Sequence, residues 1–210
     1  MTQFFRLNSR SPDDSILIKV AKLIKSGNIV IYPTETFYGI GALYSDEQAI
    51  ERIFAIKDRD KTKPVLLIIH DFPPLHMLSS SVSKQSFSIA QRFWPGPLTL
   101  LFAASQKLSR LLTADSGKVG FRISSNPVAK RLLYFLKEPI TSTSANLSGG
   151  KSPKRIDEIP ESLLNSVDIV LDAGETPGGT PSTIMDVSEH PFRVVREGAI
   201  PSLKIFNYLA

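Results

Sequence analysis

The chain contains no cysteine, which removes disulfides, thiolate nucleophiles and cysteine-ligated zinc together. Histidine is nearly as scarce. His70, His76 and His190 are the complete set, and none stands in a metal-ligand spacing, so no residue is assigned to a metal. No apolar run approaches the ~20 residues that a bilayer-spanning helix requires, and residues 1–10 lack the apolar segment of a secretion signal. A cytoplasmic protein with no membrane partner is the expectation. Phosphate-binding signatures are missing too. There is no GxxxxGK[ST] loop, and Gly39-Ile40-Gly41 lacks the third glycine and the helix start of a dinucleotide fingerprint. No GxSxG elbow occurs either. A nucleotide site in this chain has to be assembled from other parts.

What is present describes an ordinary folded chain. Its 210 residues fit one domain spanning 1–210, and 42% hydrophobic with 21% charged residues argues against disorder. The net charge of +5 and an isoelectric point near 9.4 suit a polyanionic partner such as a nucleotide, an RNA or an anionic lipid. They equally suit a basic protein with no such partner. Hydrophobic periodicity gives the organisation. Ser11 as cap and Pro12 in the first turn start a helix whose stripe of Ile16, Val20, Leu23 and Ile24 runs to Gly27. A capping-box pattern at 45–48 opens a second, with Ile50, Ile53 and Phe54 on its apolar face. Helices are also expected over 83–93 and 126–136. Runs of strand character occur at 29–32, 65–69, 98–103, 119–123, 140–143, 167–171, 183–187 and 193–195. Strands outnumber helices, and several follow one another with no helix between. That predicts an α/β fold with an open, twisted, mixed sheet and not a doubly wound one.

Four segments are dense in groups that bind anions. Residues 32–39 form a hydroxyl-rich loop straight after a strand, where open α/β sheets bind ligands, although a solvated turn has the same composition. Residues 57–63 carry cations at alternate positions, and an extended chain would put Lys57, Arg59, Lys61 and Lys63 on one side. Asp58 and Asp60 make a locally balanced, solvated loop the blander alternative. Residues 141–150 offer hydroxyls, an amide and two glycines that let backbone N–H groups approach phosphate oxygens. The Ser144 hydroxyl and Asn146 amide are expected to be exposed there and dispensable to the fold. Residues 177–183 precede a strand, and a hairpin connection explains Gly178-Gly179 as well as a ligand does.

Taken in order, these segments resemble the threonylcarbamoyl-AMP synthase family, the YrdC-like proteins. The matching pieces are Pro33 to Gly39, the Lys57-x-Arg59 pair, Trp94 to Thr99, Ser144-x-Asn146 with Ser148-Gly149, Ser182 to Asp186, and Arg196-Glu197-Gly198. The resemblance implies an open, concave sheet around a basic cavity. It implies an L-threonylcarbamoyladenylate synthase, a nucleotidyltransferase making threonylcarbamoyl-AMP and pyrophosphate from L-threonine, bicarbonate and ATP for tRNA modification. Lys57, Arg59, Lys61, Lys118, Ser144, Asn146, Ser152 and Arg196 would then surround ATP, with Lys57 and Arg59 as the catalytic pair. Thr34, Arg122, Ser142 and Ser182 would receive threonine. A Mg2+ ion would enter with ATP, and the product would pass to a downstream threonylcarbamoyl transferase complex.

The chain departs from the family pattern where Asp60 follows the Lys-x-Arg pair in place of proline. It departs again where Ser125-Asn126 replaces Asp-His before Pro127, and His70 falls two residues later than a histidine some members use near threonine. The net charge alone supports a rival reading, a YrdC-like module that binds tRNA or double-stranded RNA without adenylate-forming activity; no RNA-binding signature accompanies it.

Overall fold

The structure is a computed structural model that describes residues 1–209. Ten strands form one mixed sheet: β1 (Gln3–Arg6), β2 (Val30–Pro33), β3 (Tyr38–Gly41), β4 (Leu66–Ile68), β5 (Leu98–Ala103), β6 (Lys118–Arg122), β7 (Ile140–Ser144), β8 (Ile169–Asp172), β9 (Thr183–Asp186) and β10 (Arg193–Arg196). Their order is β1-β8-β2-β3-β7-β4-β6-β5-β9-β10. Four pairs are parallel (β1 with β8, β2 with β8, β4 with β6, β5 with β9) and the others antiparallel, and the two edges do not meet. The open, mixed sheet expected from the strand-rich sequence is what the chain builds.

Among the described residues eight α-helices pack on it: α1 (Asp14–Lys25), α2 (Glu47–Lys57), α3 (Pro73–Leu78), α4 (Lys84–Phe93), α5 (Arg110–Thr113), α6 (Pro127–Leu136), α7 (Glu161–Leu164) and α8 (Ser202–Leu209). Their ends follow local chemistry. Asp13 caps α1, accepting from the Ser15 amide, so the helix starts two residues later than the Ser11-Pro12 signal suggests. Asp46 caps α2 through the Ala49 amide, and Asn126 caps α6 through the amides of Val128 and Ala129. No helix among the described residues is long and apolar enough to cross a membrane.

Strand alternation decides which face of the sheet is covered. Along β2, Val30 and Tyr32 pack with residues of α1 and α6, while Ile31 packs on the opposite face with residues of α2 and α7. This half of the sheet carries helices on both faces. In the other half, Leu98, Leu100 and Phe102 of β5 and Val119 and Phe121 of β6 enter one core on one face. Their alternates Thr99, Leu101, Gly120 and Arg122 face a cavity. The uncovered, concave face over β4, β5, β6 and β9 is the consequence. Close strand packing around β3 requires glycine: a Cβ on Gly41 would stand 2.0 Å from the Thr141 carbonyl oxygen, and one on Gly39 would crowd the Ser142 hydroxyl at 3.1 Å. Gly39 and Gly41 therefore serve a strand contact and no phosphate loop.

Candidate active site

The cavity on this open face has a volume of about 330 Å³. Eight of the residues singled out in the sequence line it: Thr34, Arg59, Arg122, Ser142, Ser144, Ser152, Ser182 and Arg196. They arrive from distant parts of the chain. Ser142 and Ser144 lie two apart on β7, and Arg122 ends β6. Ser182 precedes β9, in the long connection from β8 across the sheet that contains Gly178 and Gly179. That connection is no hairpin, because β8 and β9 are not neighbours. Gly178 and Gly179 have φ of 63° and 78°, and the Gly178 amide donates to the Thr36 carbonyl, tying the crossing to the 34–37 turn.

Arg196 reaches the cavity because β10 is irregular. Val194 stands opposite Met185, which is buried in the core, yet Arg196 stands opposite Ile184, which faces the cavity. Two residues of β10 advance against one of β9, and this bulge turns Arg196 to the face that strict alternation would deny it. Arg196 then donates to the Ser182 carbonyl at 2.7 Å and to its hydroxyl at 3.2 Å. The Ser182 hydroxyl also meets that of Thr99 at 3.1 Å.

Electrostatically the cavity is a cationic bowl. Burial holds the Arg59 guanidinium below its ordinary pKa. Burial and then the charge of Arg122 do the same for Arg196. Arg59 donates to the Pro64 carbonyl at 3.0 Å and to the Thr143 hydroxyl at 3.3 Å, and its Nε–H has no acceptor. Arg122 is buried, 3.4 Å from Glu35. With Arg122 set against Glu35, the guanidiniums of Arg59 and Arg196 over a floor of serine and threonine hydroxyls leave a net positive field. Such a field favours ligands carrying phosphate or carboxylate.

The remaining expected residues lie elsewhere. The 57–63 segment is turned and not extended: Asp58 takes the left-handed conformation at φ 48°, and Asp60 accepts from the Thr62 amide. The cations consequently diverge. Lys57 is only 2% exposed, and its ammonium donates inward to the carbonyls of Ser144 and Asn146. Burial, and then the Arg59 charge, push its pKa down to about 8. Lys61 is exposed near Glu51 at 3.8 Å. Lys118 pairs with Asp186 at 2.6 Å. Asn146 is buried, not exposed, and its amide donates to the carbonyls of Leu147 and Gly150, both at 2.7 Å. It knits the 144–150 loop together and is not dispensable to the fold there, while its own Oδ1 finds no partner.

Thr34 lines the cavity, yet its hydroxyl closes the turn, donating to the Phe37 carbonyl at 2.7 Å. Asn126, one of the departures from the family pattern, donates to the Thr34 carbonyl at 3.3 Å and so braces the same turn. Phe37, in the 32–39 segment, lines the cavity as well, and cavity residues given no role by the sequence are Thr36, Thr99, Gly120 and Thr143. The period of two along β6 carried the signal for Gly120, two residues before Arg122, and alternation with Leu98 and Leu100 along β5 carried it for Thr99. A larger cavity of about 750 Å³, lined among others by His70, Trp94, Ser125 and Tyr134, contains none of the expected site residues.

These features define an open-sheet α/β protein whose uncovered face holds an arginine- and hydroxyl-lined cavity. The family model described as "Telomere recombination", covering the Sua5, YciO and YrdC proteins, matches residues 22–198. The chain belongs to that family. It is 35% identical over 201 residues to the threonylcarbamoyl-AMP synthase of Pyrococcus abyssi, covering 96% of this chain and 59% of that protein. The chain thus spans well under two thirds of that relative's length. The crystal structure of P. abyssi Sua5 complexed with L-threonine superposes with a TM-score of 0.95 at 32% identity, covering 100% of this chain and 61% of the other. Against the threonylcarbamoyl-AMP synthase of Vibrio vulnificus the identity is 34% over 186 residues, 88% of this chain and 99% of the relative. The crystal structure of Escherichia coli YciO matches at a TM-score of 0.88 and 29% identity, covering 98% of this chain and 100% of that one.

Proposed function

We propose that the chain is an L-threonylcarbamoyladenylate synthase, forming threonylcarbamoyl-AMP and pyrophosphate from L-threonine, bicarbonate and ATP in the cytoplasm. The observation that carries this reading is the convergence of Arg59, Arg122 and Arg196 with Ser142 and Ser182 on one uncovered sheet face. Relatives named for this activity, and a related structure holding L-threonine, support it.

The chemistry needs no protein nucleophile. The threonine amine adds to bicarbonate with loss of water, giving a carbamate. A carbamate oxygen then attacks the α-phosphorus of ATP, the bond to the β-phosphate oxygen breaks, and pyrophosphate leaves. Catalysis consists of bringing two anions into line and balancing the charge that grows on the phosphates. Arg122 receives the threonine carboxylate, beside Ser142 and Ser182. Arg59 and Arg196 face the phosphates, with Ser144 and Ser152 beside the nucleotide. Lys57 acts through the 144–146 backbone that it holds, and Lys61 and Lys118 contribute at longer range.

No group of three or more metal-ligating side chains occurs among the described residues. Glu35 and Asp186 are already paired with Arg122 and Lys118. The donor set therefore fits a Mg2+ ion carried by the phosphate oxygens of ATP, so that MgATP is the substrate. The product would pass to a threonylcarbamoyl transferase complex acting on tRNA.

Phe37 lines the cavity beside Thr34 and can pack the threonine methyl group. One methyl is worth about 1–3 kcal/mol in such a pocket. L-serine should therefore support pyrophosphate release with kcat/KM lower by roughly 10–200-fold, low but measurable. Equal turnover of the two amino acids, or release indifferent to both, would remove threonine from the assignment.

A further inference from the structure

Behind the cavity wall lies a carboxylate to which the reaction as written gives no role. Glu35 sits in the 34–37 turn between β2 and β3, its side chain 9% exposed, and is not itself a cavity-lining residue. One carboxylate oxygen faces Arg122 Nη1 at 3.4 Å, and the Arg122 side chain is 5% exposed. The other accepts the hydroxyl of Ser124, a residue 1% exposed. Glu35 Oε1 and Arg122 Nε have no hydrogen-bond partner. The turn that carries Glu35 is rigid, since the Thr34 hydroxyl accepts from the amides of Thr36 and Phe37 while Asn126 holds the Thr34 carbonyl.

The guanidinium of Arg122 is thus approached from behind on one edge by a buried, immobile carboxylate. Its Nε–H has no acceptor in the fold. A bare arginine at this place would also repel Arg196, whose pKa its charge already depresses. A carboxylate that offsets the Arg122 charge and fixes its plane before ligand arrives relieves that repulsion, while the Nε–H stays without an acceptor. A guanidinium binds a carboxylate best through parallel N–H donors in a fixed plane, so orientation matters as much as charge.

Resting on the synthase reading, we infer that Glu35, held by Ser124, is a positioning residue for the amino-acid substrate. It sets the Arg122 fork that receives the threonine carboxylate and has no part in holding ATP.

The alternatives predict opposite signs. If Glu35 mattered only as negative charge near an anion site, Glu35→Gln would make the cavity more cationic and tighten both ligands. If Glu35 positions Arg122, the same change should raise the KM for threonine roughly 10–100-fold, the scale of a misplaced binding group. The KM for ATP should then stay within about twofold, because the phosphates lie on Arg59 and Arg196.

The experiment is steady-state pyrophosphate release by the full chain, with threonine and MgATP varied separately. It covers wild type, Glu35→Gln, Glu35→Asp, Arg122→Lys and the double variant Glu35→Gln/Arg122→Lys, with thermal unfolding of each. The expected result is a threonine-only KM defect in Glu35→Gln and partial recovery in Glu35→Asp. In the Arg122→Lys background, Glu35→Gln should add less than about threefold, because its effect runs through Arg122. Unchanged or tighter threonine use by Glu35→Gln, an equal defect for ATP, or full additivity in the double variant would overturn the inference while leaving the synthase reading intact. Should Glu35→Gln fail to fold, Glu35→Asp with the Arg122→Lys comparison decides on the same criteria. A wild-type chain that releases no pyrophosphate under any threonine and ATP condition overturns the reading itself.

Discussion

Replacing Arg59 with alanine should lower turnover roughly 10²–10³-fold, as removal of a single preorganised electrostatic group does in other active sites. Arg59 sits on the cavity wall with its guanidinium held there by the Pro64 carbonyl and the Thr143 hydroxyl, so its charge is what a phosphate would meet. Its structural contacts are modest, two backbone carbonyls and the Thr143 hydroxyl. Loss of such neutral acceptors costs about 1 kcal/mol. The melting temperature should therefore move by only a few degrees while the rate collapses. An RNA-binding module would respond differently. There the same mutation would reduce the slope of log affinity against log salt by about 0.9 for a duplex phosphate contact, with no ATP-dependent rate to lose. Pyrophosphate release and RNA affinity across a salt series, on wild type and Arg59→Ala, separate the two.

The second large effect belongs to Lys57, and it should be a loss of stability and activity together. Lys57→Met keeps the length of the side chain and removes the donor to the Ser144 and Asn146 carbonyls. The Asn146 carbonyl loses its partner while the Ser144 carbonyl keeps the Asn146 amide, so the variant should lose about 1–3 kcal/mol, the cost of stranding a buried polar group. The 144–150 loop, no longer anchored, should bind ATP poorly.

The pH dependence gives an independent signature. The amine titrates at about 8 in the folded chain, lowered by burial and then by the Arg59 charge, and at the ordinary lysine value when unfolded. Between those two values the unfolded state binds the extra proton, so stability rises with pH. The advantage of wild type over Lys57→Met should grow as pH climbs from about 8 toward 10.5 and level off beyond it. Denaturant unfolding at a series of pH values measures it. A gap that is flat or shrinking over that window would place the ammonium in solvent.

Lys57 also shows what the sequence held and how it is read. Ile50, Ile53, Phe54 and Lys57 stand at i, i+3, i+4 and i+7, so Lys57 falls on the buried stripe of α2. Considering 57–63 as one extended cationic strand concealed this, because the helix ends only at Asp58 in a left-handed cap. Apolar runs located β4 and β5 within a residue or so, since burial on at least one face demands them, and β-branched and apolar residues located β6 and β7 as closely. Strand β3 escaped because Tyr-Gly-Ile-Gly has the composition of a loop, and only its neighbours β2 and β7 make it a strand. Strand β1 escaped for a related reason. It is a four-residue edge strand with Phe4 57% exposed, too short for alternation to register.

The site was legible as chemistry and not as geometry. Hydroxyl-rich and cationic segments announced themselves, yet nothing local reveals that a bulge aims Arg196 into the cavity or that Asp186 occupies Lys118. Such facts depend on register between strands far apart in the chain. Glu35 does not stand out in the motif that contains it, because a buried carboxylate behind an arginine has no one-dimensional signature.

The central claim is that this cavity joins threonine, bicarbonate and ATP into one adenylate. Mass spectrometry of the reaction mixture with carbon-13 bicarbonate tests it most directly. Wild-type chain should give threonylcarbamoyl-AMP carrying one labelled carbon, alongside pyrophosphate, and should give none when threonine or ATP is omitted. Absence of the labelled adenylate from complete mixtures, with the folded chain retaining affinity for RNA, would contradict the account.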